Sequence, residues 1–541
     1  MSPKKHDSKP SSPFHRLRDL DRQIVDLLSR RSEALVGHLE ERKSRGLSLT
    51  DADFEKRLWK IWQEKGDAKG LDAKLLRKLF NLANSLAYEQ VERPSEREFL
   101  LWPSMKPVTI ELPGPKDTWL TRMWAATAAA GNAEVELDTV VLNDGLYELI
   151  KAMNQAGAGF SWEKSRVLHT AADEGIALDR KSVFVGSDPF NLYLLVGLAA
   201  SRPGNVKFAG ESHLKHEDLR PLLEMLPFLG ARGVSLVPGS DGLPLRVESS
   251  GQAEAAIPLP AGASPELTQA LVLTLAFFEQ ASEPIEITWP TEGAAVDLQE
   301  IVSLLHSCGI EAELGDGSAR IRPGRPAPPR IPEIPPDPVL SSVLLALPQA
   351  LGGSARLEGA PWPDTPRFAA WQQQLRGFGA ALSSLENGLL SHPGTPDADL
   401  CIDCRERREC FPIGLALCLC KPGGGLVMGE RGEDFDFALE LLHKLGLPFE
   451  EQSESIRVLQ KPDGQPAKVA FTVPHPLWGL AIALISLVRP NIVLRNPGEL
   501  TGLWPQFWSI FKGLPEPQRR MQEKEAQKKD SDEPKRRRIR V

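Results

Sequence analysis

The chain has 541 residues, 41% of them hydrophobic and 25% charged, an ordinary balance for a globular protein long enough to hold several domains. Its formal net charge of −8 argues against a protein that binds nucleic acid with its whole surface. There is no run of 18 apolar residues, so no membrane span is expected, and six cysteines in this length do not make a disulfide scaffold.

The opening MSPKKHDSKPSSP lacks the apolar stretch of a secretory signal, and a cytoplasmic location is expected. Residues 1–13 are rich in Pro, Ser and Lys and are expected to be disordered. From 14 to 93 the pattern is all helical. Leu17, Leu20, Ile24, Leu27, Leu28, Leu35 and Leu39 recur at helical spacing, and LTDADFEKRLWKIWQEKG and LDAKLLRKLFNLANSLAYEQV predict a second and a third helix. Thr50 or Asp51 would cap the second. Three helices with one long leading member bury their apolar faces poorly alone, so packing on the rest of the chain or on a second copy, as a homodimer, is expected.

Residues 94–103 read as a linker. From 104 to 513 one unit recurs, in which a helix ends at a Gly turn and an apolar strand follows. The clearest cases are LYELIKAMNQAGAGFSW, LRPLLEMLPFLGARGVSLV, LQEIVSLLHSCGIEAEL, FAAWQQQLRGFGAALSSL and FALELLHKLGLPFEEQ. Longer apolar helices, LTQALVLTLAFFEQ and PLWGLAIALISLV, lie between them. The fold class is therefore α/β, of the α+β kind. The Pro-rich stretch 322–338 divides the repeats into two lobes, 115–328 and 104–114 plus 329–513. Five cysteines fall between Cys401 and Cys420. A zinc site is the weaker reading, because Cys418 and Cys420 are two apart on a helix and point to different faces. Packed thiols and no metal are expected. Residues 514–541 form a charged tail ending in PKRRRIRV, read as a solvated terminus rather than a nucleic-acid arm.

The order of the repeats and the hinge between them resembles the enolpyruvyl transferase fold, six βαβαββ units in two lobes with ligands in the cleft. Within that family the resemblance is to 5-enolpyruvylshikimate-3-phosphate (EPSP) synthase, 3-phosphoshikimate 1-carboxyvinyltransferase. It rests on GESHLKHEDLRPLLEMLPFLGA (210–231) against G-E-x-R-x-x-x-R-P, GLPLRV against a PPLRL-type strand, CIDCRERRECFPIGLALCLCKPGG against D-x-x-x-x-x-x-D and its helix, and NPGELTGLWPQF against a segment ending K-T-F-P. With I-x-x-L-L-x-x-R at 24–31, a following basic residue, D-x-x-x-E at 51–55 and LD…LF in the third helix, residues 14–93 resemble a small all-helical chorismate mutase. The two activities belong to one pathway, that of aromatic amino acid biosynthesis.

Enolpyruvyl transfer from phosphoenolpyruvate to shikimate-3-phosphate needs converging cations, oriented amides and a carboxylate for proton transfer. The resemblance places this work on Lys116, Arg122, Ser264, Arg220, Glu409, Arg431 and His475, with Lys116, Glu409 and His475 nearest the chemistry. No cofactor is implied. Other family positions hold the wrong chemistry. The phosphate-binding Ser is Asp117, the tight glycine loop is Pro189-Phe190, and its Arg is Tyr193. His213 and Glu217 replace two arginines, Asp297 replaces a ring-packing Tyr, and Gly502 replaces the last Lys. Each charged hydrogen bond lost to a buried anion costs about 1.5–3 kcal/mol, so four or five losses total on the order of 8 kcal/mol, enough to abolish useful binding of phosphoenolpyruvate. In the helical region Arg31, Arg42, Asp51 and Glu55 fall at the mutase-like pocket, whereas Phe14 and Phe54 replace arginines.

Plain alternatives stand beside each reading. Lys116 could be a solvated loop lysine and His475 a turn histidine between two prolines. Glu409 could pair with a neighbouring Arg, and Arg31 and Arg42 could be surface charges. The expectation is a non-catalytic scaffold, regulator or ligand-binding protein of the shikimate pathway, a pseudoenzyme. The alternative is an active EPSP synthase. Expected partners are shikimate-3-phosphate, phosphoenolpyruvate or chorismate-like anions, and other enzymes of the pathway.

Overall fold

In a computed structural model the N-terminal periodicity becomes three helices, Pro13–Ser44, Ala52–Asp67 and Ala73–Glu92. The structure describes residues 13–44, 52–92, 98–172, 175–211, 214, 217–237, 241–290, 297–459 and 467–517. The tail residues 1–12 and 518–541, Thr50, Asp51 and His213 lie outside the described residues, and with them the readings made of these positions. Two units emerge. One is the helical unit, which takes in Glu211–Glu217 and Ser235–Leu243. The other is the α/β unit, formed by Glu96–Gly210, Asp218–Val234 and the chain from 244 onward.

In the helical unit Leu35 and Leu39 of the first helix close on Ala87 of the third. Phe80 is fully buried, with Trp59 and Trp62 edge-on at 5.5 Å each. Leu17, Leu20, Ile24 and Leu27 on the first helix and Leu75, Leu79 and Leu82 on the third stay 52–63% exposed. The helices form, and the leucines named leave part of their apolar face exposed.

Among the described residues the α/β unit carries six small sheets. One lobe contributes three. In the first, Val108–Pro113 lies parallel to Gly353–Glu358, beside the hairpin Ala380–Leu385 and Gly388–Pro393. The second holds Cys401–Asp403, Gly425–Met428, Ser455–Val458 and Phe449–Glu451. The third holds Phe99–Leu101, Ile492–Leu494 and Val469–Phe471. Residues 99–101, read from sequence as linker, are thus an edge strand, antiparallel to 492–494 and anchored by the buried Leu101. The other lobe contributes Val135–Leu137 with Arg166–His169 and Phe160–Glu163, then Ser182–Phe184 with Pro203–Ala209, Leu245–Ser250 and Ala231–Ser235, then Ala256–Pro258 with Ile285–Thr288, Ser318–Ile321 and Ala312–Gly315.

Two helix types serve these sheets, as the sequence patterns require. Thr118–Gly131, Pro189–Ala200 and Pro265–Leu275 in one lobe, and Pro338–Leu351, Phe411–Cys420 and Pro476–Val488 in the other, are apolar almost all round and buried. Asp144–Gln155, Gln299–Ser307, Pro366–Phe378 and Glu433–Leu445 are amphipathic and lie outside them. Gly379 and Gly446 end two of these helices in the left-handed region, at φ 107° and 63°, and turn the chain into the next strand.

Candidate functional site

The lobes join where two chain segments cross. The strand Val108–Pro113 runs on through Lys116, which bridges Pro336 antiparallel. The Asp117 amide donates to the Pro335 carbonyl at 2.9 Å, and the Asp337 amide donates to the Pro115 carbonyl at 2.7 Å. Each segment then enters a buried helix through an aspartate cap. Asp117 Oδ1 accepts from the amides of Trp119 (3.0 Å) and Leu120 (2.9 Å). Asp337 Oδ1 accepts from those of Val339 (3.0 Å) and Leu340 (3.1 Å). The two caps touch, because the Thr118 amide and hydroxyl lie 3.3 and 3.4 Å from Asp337 Oδ2.

Two buried carboxylates side by side need a counter-ion, and Arg367 supplies it, from the lobe that faces Asp117. Its Nη1 lies 2.7 Å from Asp117 Oδ2, and Asp117 is fully buried. Its guanidinium lies over the rings of Trp119 and Phe368, at 4.9 and 5.4 Å. Its Nε is 4.0 Å from Asp297 Oδ2. Asp297 in turn accepts both arms of Arg407, at 2.7 and 2.6 Å. The result is a row, Asp337 and Asp117, Arg367, Asp297, Arg407, whose successive members come from alternate lobes. Glu300 flanks it, accepting from the Thr365 hydroxyl.

The electrostatics follow. Burial pushes the Asp337 carboxyl up to about 6, with Asp117 adding to the rise and Arg367 opposing it. Burial would lower Arg367, but Asp117, Asp337, Asp297 and Glu300 outweigh it and hold its pKa above the usual arginine value. Glu300 is raised by burial. Glu409 is also raised, chiefly by the protein packed around it, with Arg407 pulling it down. Its side chain nonetheless keeps solvent-exposed surface at the edge of the row.

The residues singled out from sequence disperse around this row. Lys116 is half-buried in the hinge, lowered by burial and supported by Asp138 and Glu333. Arg122 is paired with Asp188, lies 3.3 Å from Asn191 Oδ1 and stacks 4.8 Å over Phe190. Ser264 caps the helix Pro265–Leu275 by accepting from the Leu267 amide at 3.2 Å. Arg220 makes an exposed pair with Asp218, two residues before it. Arg431 donates to the Ser453 carbonyl (2.8 Å) and to Glu451 (2.6 Å), over the Phe435 ring. His475 meets Asp434 at 2.6 Å, and Asp434 also takes the Trp478 indole N–H at 2.7 Å. At Gly502 an added Cβ would stand 2.6 Å from Asp144 Oδ2 of the facing lobe. The structure brings Glu409 beside the row and gives Lys116, Arg122, Ser264, Arg220, Arg431 and His475 partners of their own.

In the helical unit Arg31 donates to the Ala83 carbonyl (2.8 Å) and Asn84 Oδ1 (2.5 Å) and lies 5.5 Å from the Trp62 and Phe80 rings. It is not a surface charge, and burial lowers its pKa. Glu55 acts electrostatically on Arg77, a half-buried cation 4.6 Å over Trp59. Arg42 lies on the first helix. Cys404, Cys410, Cys418 and Cys420 are buried free thiols, and Cys401 is exposed.

Sequence reasoning missed Arg367, Arg407, Asp337 and Arg77. Arg367 carries one legible signal. It lies in the first turn of Pro366–Phe378, where the helix dipole disfavours a cation, a position that nearby acids would offset. Asp337 carries another, since Asp followed by Pro is a helix-start pattern.

The fold these elements build is that of the EPSP synthase-like enolpyruvyl transferases. EPSP synthase of Acinetobacter baumannii superposes with a TM-score of 0.62 at 14% identity, over 76% of this chain and 97% of that one. The enolpyruvyl transferase NikO of Streptomyces tendae superposes with a TM-score of 0.59 at 16% identity, over 76% of this chain and 96% of that one. In sequence the chain is 29% identical over 143 residues to a 3-phosphoshikimate 1-carboxyvinyltransferase of Syntrophobacter fumaroxidans. That match takes in 26% of this chain and 33% of the relative's length. No family model matches the chain. Among the described residues no helix is long and apolar enough to cross a membrane.

Proposed function

We propose that this chain is an EPSP synthase-like protein of the shikimate pathway that has given up enolpyruvyl transfer and serves as a scaffold, regulator or ligand-binding protein. One observation carries this reading. The cleft arginines Arg367 and Arg407 are already seated on carboxylates of the facing lobe, Asp117 and Asp297. A site for phosphoenolpyruvate and shikimate-3-phosphate needs free cations there, because the bound anions must be paired. The helical unit is read in the same way, as a chorismate mutase-like fusion partner. Arg31, the best-placed cation of that pocket, is held by the third helix. Its exposed leucines favour a homodimer through this unit.

The deciding experiment supplies purified protein with shikimate-3-phosphate and phosphoenolpyruvate and follows phosphate release. The proposal expects none. Turnover near about 1–10 per second, ordinary for an enzyme, would overturn it in favour of an active EPSP synthase. The similarity to a curated 3-phosphoshikimate 1-carboxyvinyltransferase is what keeps that second reading alive. Without turnover, calorimetric titration of the same two anions and of chorismate tests for a surviving ligand site.

A further inference from the structure

We infer that the cleft is latched by its own side chains, with carboxylates of one lobe standing as built-in counter-ions for the arginines of the other, so that the lobes are closed without any ligand. The covalent connection between the lobes is slight. It consists of two crossing segments held by the Lys116–Pro336 bridge and the hydrogen bonds of Asp117 and Asp337. Such a joint permits rotation, so contacts across the cleft must fix the angle. The apolar core of one lobe takes in little of the other. Among the described residues, Val141 is the one member of 115–328 in the apolar core of the facing lobe. Charged pairs join the two lobes. Arg407 grips Asp297 with both arms, at 12% and 14% exposure, and Arg367 grips Asp117 at 13% and 0%. Pairs this dry are screened weakly by salt, and a bidentate guanidinium–carboxylate pair fixes orientation as well as distance. The two pairs share Asp297, 4.0 Å from Arg367, so they form one device rather than two independent contacts.

The latch differs from ligand-driven closure in what it needs. An empty cleft lined by cations alone repels itself and opens. A cleft whose cations are met by Asp117, Asp297 and Glu300 from the facing lobe has nothing left for an anion to neutralise. This inference rests on the geometry of the row. Turnover tests the function proposed above and lobe distance tests the latch, so either can fail alone.

The test measures the distance between spin labels on the two lobes of the full chain. Labels are placed at Asp316→Cys and Glu386→Cys, both exposed turn positions, with Cys401→Ser to remove the exposed native thiol. The unliganded protein is expected to give one narrow distance distribution that phosphoenolpyruvate or inorganic phosphate leaves unchanged. Arg367→Gln with Arg407→Gln should broaden and lengthen it, whereas Arg407→Lys, which keeps the charge but not the second arm, should give a distribution between the two. Circular dichroism confirms that each variant is folded. If the double variant fails to fold, Asp297→Asn replaces it with the same expectation. A parent distribution that is broad, or that narrows on adding either anion, overturns the latch. A folded double variant as narrow as its parent overturns it as well.

Discussion

Arg367 stands at the wrong end of a helix for a cation and stays there because acids surround it. Removing it strands two buried carboxylates, Asp117 and Asp337. Arg367→Met is therefore expected to destabilise the α/β unit by about 3–5 kcal/mol, the cost of breaking a buried pair from one side. The urea midpoint measures it. Adding Asp117→Asn, which keeps a cap oxygen for Trp119 and Leu120 while removing the stranded charge, should recover part of the loss, and a purely additive result would refute the pairing. Asp337 gives a pH signature. Its carboxyl titrates higher in the fold, at about 6, than in an unfolded chain. The fold thus favours the protonated form, a contribution fully present below the unfolded value near 4 and lost as pH rises through about 6. Asn at 337 imitates the protonated form. Asp337→Asn should gain on the parent at about pH 7.5 by on the order of 2 kcal/mol relative to its effect at about pH 4, read as urea midpoints at both. An equal effect at the two pH values would show that Asp337 titrates normally.

At the level of elements, the repeat grammar was readable because its signals are local. Amphipathic spacing, a closing glycine and an apolar strand recur within some twenty residues, and GFGAALSSL and KLGLPFEEQ each became helix end, left-handed Gly and strand. The strand Phe99–Leu101 was not readable, because three residues carry no periodicity and its partner, Ile492–Leu494, lies at the far end of the chain. The two closing glycines make a graded test. Gly446 has φ 63° and open space around a prospective Cβ, so Gly446→Ala should cost only the left-handed penalty, about 1–2 kcal/mol. At Gly379 the Cβ would also stand 2.9 Å from the Pro396 backbone nitrogen, which cannot yield as a side chain can. Gly379→Ala should cost clearly more, and thermal midpoints of the two variants order them. Equal midpoints would mean that backbone conformation alone sets both costs.

For the whole molecule, the candidate site was legible in half. Asp117 reads from sequence as a charge hostile to anions, and so does Asp297. Their partners do not read at all, since Arg367 lies 250 residues from Asp117 and Arg407 lies 110 from Asp297, with no motif joining them. Only the three-dimensional crossing of the lobes turns four scattered charges into a row. The helical unit poses the matching question outward. Its exposed Leu20 and Leu27 lie seven residues apart, on one face of the first helix. Under the proposed homodimer, light scattering of the full chain gives twice the chain mass, and Leu20→Glu with Leu27→Glu halves it. A monomeric parent would refute the dimer.

The hinge has one more consequence. The chain enters the second lobe through Pro115–Asp117 and returns from it through Pro335–Asp337, and these two segments are hydrogen-bonded to each other. In genetic terms that lobe is an insertion whose ends meet. An excised segment of this kind can be closed into a circle or given new termini in one of its own loops, and its host can be sealed with a short turn. Each half of this protein is thus a candidate for independent inheritance, and a permuted chain that opens elsewhere and keeps both crossings should retain the architecture.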